Sequence, residues 1–462
     1  MTTISRRRLI LNSAGASSLF FVPNFKTALS REEHSPHFHI NLFFQGSFDS
    51  SYLFDARPLS FTAAEKIQNY NEKDPKIWQG SNDQQALVPE YIDKQSLYKN
   101  DISVVKGIHM ATQSDGHDDN MRAAISGLAS GGSLYFSALN KQNQMMPIDA
   151  LNIDLFSFFL VSVTDANSFI PLTATDAAAL QVAFQDAGPE TNQSPVQSFI
   201  EERLKTLARQ PGMLSRGAEK ILNSILGKNL IRERIKQTSI PITNDGFSDN
   251  LAMIGQYFKH GIAKSAFLDF VLYNTDTHDT TSAQAQPQTY SDITSRIYDI
   301  IKFLKETPYD DARGISLFDV TTLTVGSEFD RTNRQLGVSV SNTGTDHNSL
   351  SNVMLFAGKG IRGGQVFGET DLDKMNERGD YVNVSKIHAN FDPDLIKRMG
   401  KPFNFETMRP SHELPELYQP DHYLTIASVI NTLFTLFDVP KDKYLANQVG
   451  GKKASILSQL IL

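Results

Sequence analysis

The run Val320-Thr321-Thr322-Leu323-Thr324-Val325 constrains the fold more than any other stretch of the chain. It is apolar and β-branched, has the length of a strand, and lacks a helical period. That is the pattern of a strand buried on both faces of a parallel sheet. It leads straight into Gly326-Ser327-Glu328-Phe329-Asp330-Arg331-Thr332. A polar loop then delivers Gly344-Thr345-Asp346-His347 ahead of a second apolar run, Val353-Met354-Leu355-Phe356-Ala357. In open α/β sheets ligands bind just beyond the carboxyl ends of the strands. Two carboxylates, a histidine and an arginine gathered at such an edge point to a site for a metal or an anion.

The same arrangement recurs along the chain. Phe38-His39-Ile40-Asn41-Leu42-Phe43-Phe44 ends at Gly46-Ser47-Phe48-Asp49. Ile102-Ser103-Val104-Val105-Lys106-Gly107 precedes Asp115, His117, Asp118 and Asp119, where a helix is expected to start. Ala266 to Tyr273 precedes Asp276-Thr277-His278-Asp279. An Asp-x-His at a strand end places a carboxylate and an imidazole where one ion can be shared. These donors suit zinc, manganese or iron better than calcium. Other readings stand beside these. Asp49 also fits a turn or helix cap. Asp118 and Asp119 also fit the first turn of a helix, whose dipole favours carboxylates. His117 fits either role.

Five strands of this kind define an α/β protein with a mainly parallel central sheet and helices on both faces. The expected domain spans 36–462, with a helical region about 196–260, where Phe199, Leu204, Leu207, Ile221, Leu222, Ile225 and Leu226 recur at helical spacing. Further helices are expected near 62–70, 250–260 and 423–437, and an exposed polar loop over 280–289. Gly358-Lys359-Gly360-Ile361-Arg362-Gly363 matches G-x-G-x-x-G. No long helix is expected after it, so it does not read as a dinucleotide loop. The hydrolase elbow G-x-S-x-G is absent.

Composition closes off several classes. Acidic residues number 51 and basic ones 44, for a net charge of −7, which gives no basic surplus for nucleic acid. The chain has no cysteine, which excludes disulfides, thiolate metal sites and cysteine nucleophiles. At the amino terminus, Ser5-Arg6-Arg7-Arg8-Leu9-Ile10 opens a mildly apolar stretch to Val22, and Ala28-Leu29-Ser30 offers a cleavage site. The stretch is too short for a membrane span. Residues 1–30 read as a twin-arginine signal peptide, with the twin-arginine translocase as partner. The mature protein is then periplasmic or extracellular, with no membrane span.

Together and in order, these motifs resemble a family of Tat-exported bacterial proteins known as domain of unknown function fifteen-oh-one, grouped with the alkaline phosphatase and sulfatase superfamily. The likeness covers about residues 38–440. It is carried by Ser327-Glu328-Phe329 with Arg331-Thr332, by Gly344-Thr345-Asp346-His347, by Asp276-Thr277-His278 and by Gly358 to Gly368. The resemblance implies an alkaline phosphatase-like fold with one or two divalent ions, zinc or manganese, at the carboxyl edge of the sheet. By the same likeness, Asp276, His278 and His347 would hold one ion, and Asp49 and Glu328 would contribute to a second. Asp346 would ligate or orient His347, and Arg331 would hold an anionic group. His117 occupies the place of the superfamily's nucleophile, and Glu328-Phe329-Asp330 replaces its usual D-H-G. The implied activity is hydrolysis of phosphate or sulfate esters on an anionic small-molecule or polymer substrate. The alternative is a degenerate, non-catalytic binding or scaffold protein that retains the fold.

Overall fold

The protein is described by a computed structural model. It covers residues 36–56, 75–94, 96–110, 116–126, 151–153, 172–174, 195–208, 234, 238, 245–263, 265–270, 275–278, 285–332, 345–371, 399–411, 419–439, 441–447 and 452–462. The expected signal segment 1–30, the expected helix at 62–70 and most of the stretch 209–244 lie outside these residues.

In chain order the main elements are β1 (Phe38–Phe44), β2 (Ile102–Lys106), α1 (His117–Ser126), β3 (Leu151–Ile153), β4 (Leu172–Ala174), α2 (Pro195–Ala208), α3 (Gly246–Lys259) and β5 (Ser265–Phe270). There follow α4 (Gln286–Glu306), β6 (Thr321–Gly326), the short β7 (Asp330–Arg331) and β8 (His347–Asn348), β9 (Val353–Gly358), β10 (Val366–Phe367) and α5 (Ile426–Leu436). The architecture is mixed α/β with a mainly parallel sheet. Among the described residues no helix is long and apolar enough to cross a membrane.

The chain divides into two units. One takes its described residues from 1–39 and 139–268, the other from 40–138 and 269–462. In the first, β5, β3 and β4 lie side by side, all parallel. Here Phe38 stacks on Phe258 of α3, ring centres 4.4 Å apart.

The second unit carries the sheet order β10–β2–β9–β6–β1. β10 runs parallel to β2, whereas β9 is antiparallel to both β2 and β6. β1 and β6 are neighbours and run the same way, their carboxyl ends side by side: Ser327 Oγ donates to the Phe44 carbonyl at 2.8 Å. All residues of β1 and β6 are buried, as their unbroken apolar runs require. Lys106 is a charge inside this packed sheet, and its Nζ meets the equally buried Asp55 carboxylate at 3.1 Å.

Two expectations change here. Val353–Gly358 is a buried strand as its composition demands, but it is reversed. An apolar run carries no mark of direction, and the turn at residues 349–352 is short enough to send the chain back. Its carboxyl end, with Gly358 and Gly360, therefore lies away from the edge that holds Glu328. β10 follows Gly363 there rather than a helix. The second change is α4, whose start falls within the stretch read as a polar loop. Its inward face carries Tyr290, Ile293, Thr294, Ile297, Tyr298, Ile300, Ile301 and Leu304, the spacing of an amphipathic helix. Tyr290 stacks on Tyr52 at 5.5 Å, which brings the helix against the segment after β1.

Candidate metal centre

Four pieces of the second unit meet at the carboxyl edge of β1 and β6. The turn after β1 is shaped by Gly46, at φ +102, with Ser47 at φ 69. A Cβ on Gly46 would lie 2.5 Å from Thr275 Oγ1 and 2.9 Å from the Asp276 amide, so only glycine lets the two segments approach this closely. Residues 275–278 are then fixed from both sides. Thr275 Oγ1 donates to the Gln45 carbonyl at 2.7 Å. The Thr345 amide donates to the Thr277 carbonyl at 2.6 Å, and the two threonine hydroxyls are also 2.6 Å apart.

Past β6 the chain enters β7, which pairs antiparallel with β8 so that Arg331 stands opposite His347. Directly opposed residues of such a pair share one face of the ribbon. α1 supplies the last piece, with His117 as its first residue.

These segments bring together His117, Asp276, His278 and His347. The four offer ligand atoms that all lie within 4.8 Å of one another, and the group can hold a metal ion. His278 Nε2 is 3.0 Å from His347 Nε2 and 3.2 Å from Asp276 Oδ1. His117 Nε2 is 3.8 Å from the same carboxylate oxygen. Ligand atoms around a tetrahedral ion with bonds of ~2.0–2.1 Å lie about 3.3 Å apart, so these separations bracket what one ion requires. Three imidazoles and a carboxylate are nitrogen and oxygen donors of the kind that first-row divalent metals accept.

Of the other expected residues, Glu328, Asp346 and Arg331 touch members of this group, whereas Asp49, Asp118 and Asp119 are not among its clustered ligands. Glu328 is fully buried and accepts from His117 Nδ1 at 2.8 Å and from the Gly46 amide at 2.8 Å. Ser327 Oγ lies 2.7 Å from its second oxygen. Burial pushes the Glu328 carboxyl up, but the hydrogen bond and charge of His117, with the Ser327 hydroxyl, outweigh it and hold the group below the usual carboxylate value. Asp346 Oδ1 accepts from the His347 amide at 2.8 Å and lies 4.0 Å from His278 Nδ1. Asp49 caps the short turn at Ser50–Tyr52: its carboxylate accepts from the Ser51 amide at 3.0 Å and from the Ser51 hydroxyl. Its own amide donates to the Tyr290 hydroxyl at 2.5 Å. Asp118 and Asp119 lie in the first turn of α1, and Asp119 is 3.6 Å from Arg122.

Arg331 is buried, and its guanidinium donates to the Gly46 carbonyl at 2.6 Å and to Asp276. Burial raises the Asp276 carboxyl, and the charge and hydrogen bond of Arg331, helped by His278 and His117, bring it below its ordinary value. Phe329 fills the wall, its ring 5.1 Å from His117 and 4.7 Å from His347. It is fully buried and contributes an apolar surface.

Sequence reasoning singled out His117, Asp276, His278, His347, Glu328, Asp346, Arg331 and Asp49, but not the contacts that join them. Thr277 and Thr345 sit inside the two motifs, and their pairing is what delivers His278 to His347. Tyr290 was missed with α4; its helical spacing was the available signal.

The fold and the cluster define the class: a mixed α/β protein with a His/Asp cluster, able to hold a metal ion, at the carboxyl edge of its sheet. Residues 311–410 match a family described as "Protein of unknown function (DUF1501)". That stretch includes Glu328, Arg331, Asp346 and His347. No curated protein matches the chain.

Proposed function

We propose that this protein is an exported, metal-dependent hydrolase of phosphate or sulfate esters, built on an alkaline phosphatase-like plan. The observation that carries the reading is the convergence of His117, Asp276, His278 and His347, which come from three separate stretches of sequence. In this reading Asp276, His278 and His347 hold one zinc or manganese ion, and His117 stands at the open side. A divalent ion held by these residues would supply Lewis-acid polarisation of a phosphoryl or sulfuryl oxygen. His117 takes a proton from the attacking water at Nε2 as the ester bond breaks and returns it to the departing oxygen, while Glu328 fixes its Nδ1 side and compensates the charge that develops. Phe329 keeps bulk water from that face of the imidazoles. Arg331, once its donors are free, holds an anionic oxygen of the substrate. Export by the twin-arginine route rests on Ser5-Arg6-Arg7 and delivers a folded protein to the periplasm or beyond.

A second reading keeps the ion and drops the chemistry: a non-catalytic binding or scaffold protein. Phe329 at a ligand position favours it, because it leaves Asp49 and Glu328 without a histidine to complete a second metal site. One experiment separates the two. The mature protein is purified without chelator, its metal content measured, and generic phosphate and sulfate esters assayed with and without EDTA. EDTA-sensitive turnover supports the hydrolase, and bound metal without turnover supports the binding protein.

A further inference from the structure

The guanidinium of Arg331 lies on the atoms that would hold the ion. Besides Asp276 Oδ1, it engages His278, with Nη1 3.3 Å from Nε2. Asp276 and His278 both belong to the cluster, and Nε2 is the His278 nitrogen that faces it, 3.0 Å from His347 Nε2 and 3.2 Å from Asp276 Oδ1. A carboxylate oxygen has two lone pairs and can serve a guanidinium and a metal together. An imidazole nitrogen has one, in the plane of its ring. His278 Nε2 therefore accepts from Arg331 or binds an ion, and cannot do both. The positive charge of Arg331, itself buried beside a cluster whose Asp276 and His278 face solvent, also opposes a divalent cation directly. The seat is an imperfect one for the guanidinium: its Nε finds no hydrogen-bond acceptor among the described residues. A buried donor left unmatched is a cost that a second position would relieve.

We infer that Arg331 is an internal counter-cation, a positioning residue that closes the ligand set in the metal-free protein and must release His278 before an ion is held. This rests on reading the cluster as a metal site. Two consequences follow. Arg331 stabilises the metal-free protein, because it neutralises Asp276 and holds His278. It also weakens metal binding, because entry of the ion requires the contact on His278 to break.

The test is titration of the chelator-treated full chain with zinc alone, against a chromophoric competitor chelator, in wild type and Arg331→Met. The expected result is zinc binding tighter by on the order of tenfold or more in the variant, as removal of a nearby like charge requires. Its metal-free form should also melt at a lower temperature, with a larger upward shift on zinc addition. Equal or weaker binding in the variant overturns the counter-cation role and leaves the metal site standing. No zinc binding in either protein overturns both. Should Arg331→Met fail to fold, a crystal structure of zinc-loaded wild type decides. Nη1 displaced from a zinc-bound His278 Nε2 supports the inference, and Nη1 still within hydrogen-bonding distance of that nitrogen overturns it.

Discussion

Glu328 Oε1 lies 2.8 Å from His117 Nδ1, so the first residue of one helix is anchored by a fully buried carboxylate at the end of a strand 211 positions away. A carboxylate on the far nitrogen fixes both the orientation and the tautomer of an imidazole, leaving Nε2 to face the centre of the cluster. The same carboxylate oxygen takes the Gly46 amide, so β1, β6 and α1 are joined at one atom.

The pairing has a consequence for acid stability. The folded-state pKa of Glu328 is depressed. Such a group contributes stability above its unfolded-state value and loses it as pH falls through the folded value. Wild type should therefore lose stability below the ordinary carboxylate range, and Glu328→Gln should show a flatter acid limb. Urea midpoints from pH 7 to pH 3 check this. An unchanged acid limb in the variant would show that the buried carboxylate is not linked to folding.

His39 predicts a second acid-sensitive step at higher pH. Burial, with the neighbouring His37, pushes its pKa down to about 3. The unfolded chain protonates near pH ~6.5 and the folded one does not. Stability should fall as pH drops from the unfolded value toward the folded one. The loss reaches up to roughly several kcal/mol, since each tenfold difference in proton affinity is worth ~1.4 kcal/mol. His39→Leu should lose less stability than wild type between pH 7.5 and pH 5 in thermal melts. Parallel losses would mean that His39 is solvated.

The fold was most legible where one element is buried on both faces. The expected Phe38–Phe44 is β1 to the residue, and the run from Val320 is β6. The direction of β9 was not legible, because its side chains alternate the same way in either orientation. α4 was missed because its start lies among Thr, Ser, Ala and Gln residues and its inner face uses β-branched isoleucines, which favour strands. At the site, Asp276-Thr277-His278 and Asp346-His347 were readable as donors. The contact of Arg331 with Asp276, 55 positions apart, was not, since no local spacing encodes it. The role of Glu328 as the anchor of His117 was hidden for the same reason.

Gly46→Ala tests the geometry that delivers Asp276. The added Cβ meets Thr275 Oγ1 and the Asp276 amide, and the backbone there is in the left-handed region. A cost of roughly 1–3 kcal/mol in stability is expected for a non-glycine residue in such a strained place. Zinc affinity should fall with it, because residues 275–278 must shift. Full affinity in a destabilised variant would separate the turn from the site.

Export is checked by replacing Arg6 and Arg7 with lysine. The double variant should remain in the cytoplasm with its amino-terminal segment uncleaved. Its normal accumulation in the periplasm would remove the twin-arginine reading.

The most direct test of the central claim is the metal content of the full chain and of His347→Ala, purified side by side without chelator. A bound ion stabilises only the folded state. Wild type should therefore carry tightly held zinc or manganese and lose melting temperature on chelation. His347→Ala should carry little metal and melt at the same temperature with or without chelator. Full metal occupancy in His347→Ala, or no metal in wild type after growth and dialysis with zinc and manganese, would contradict the account.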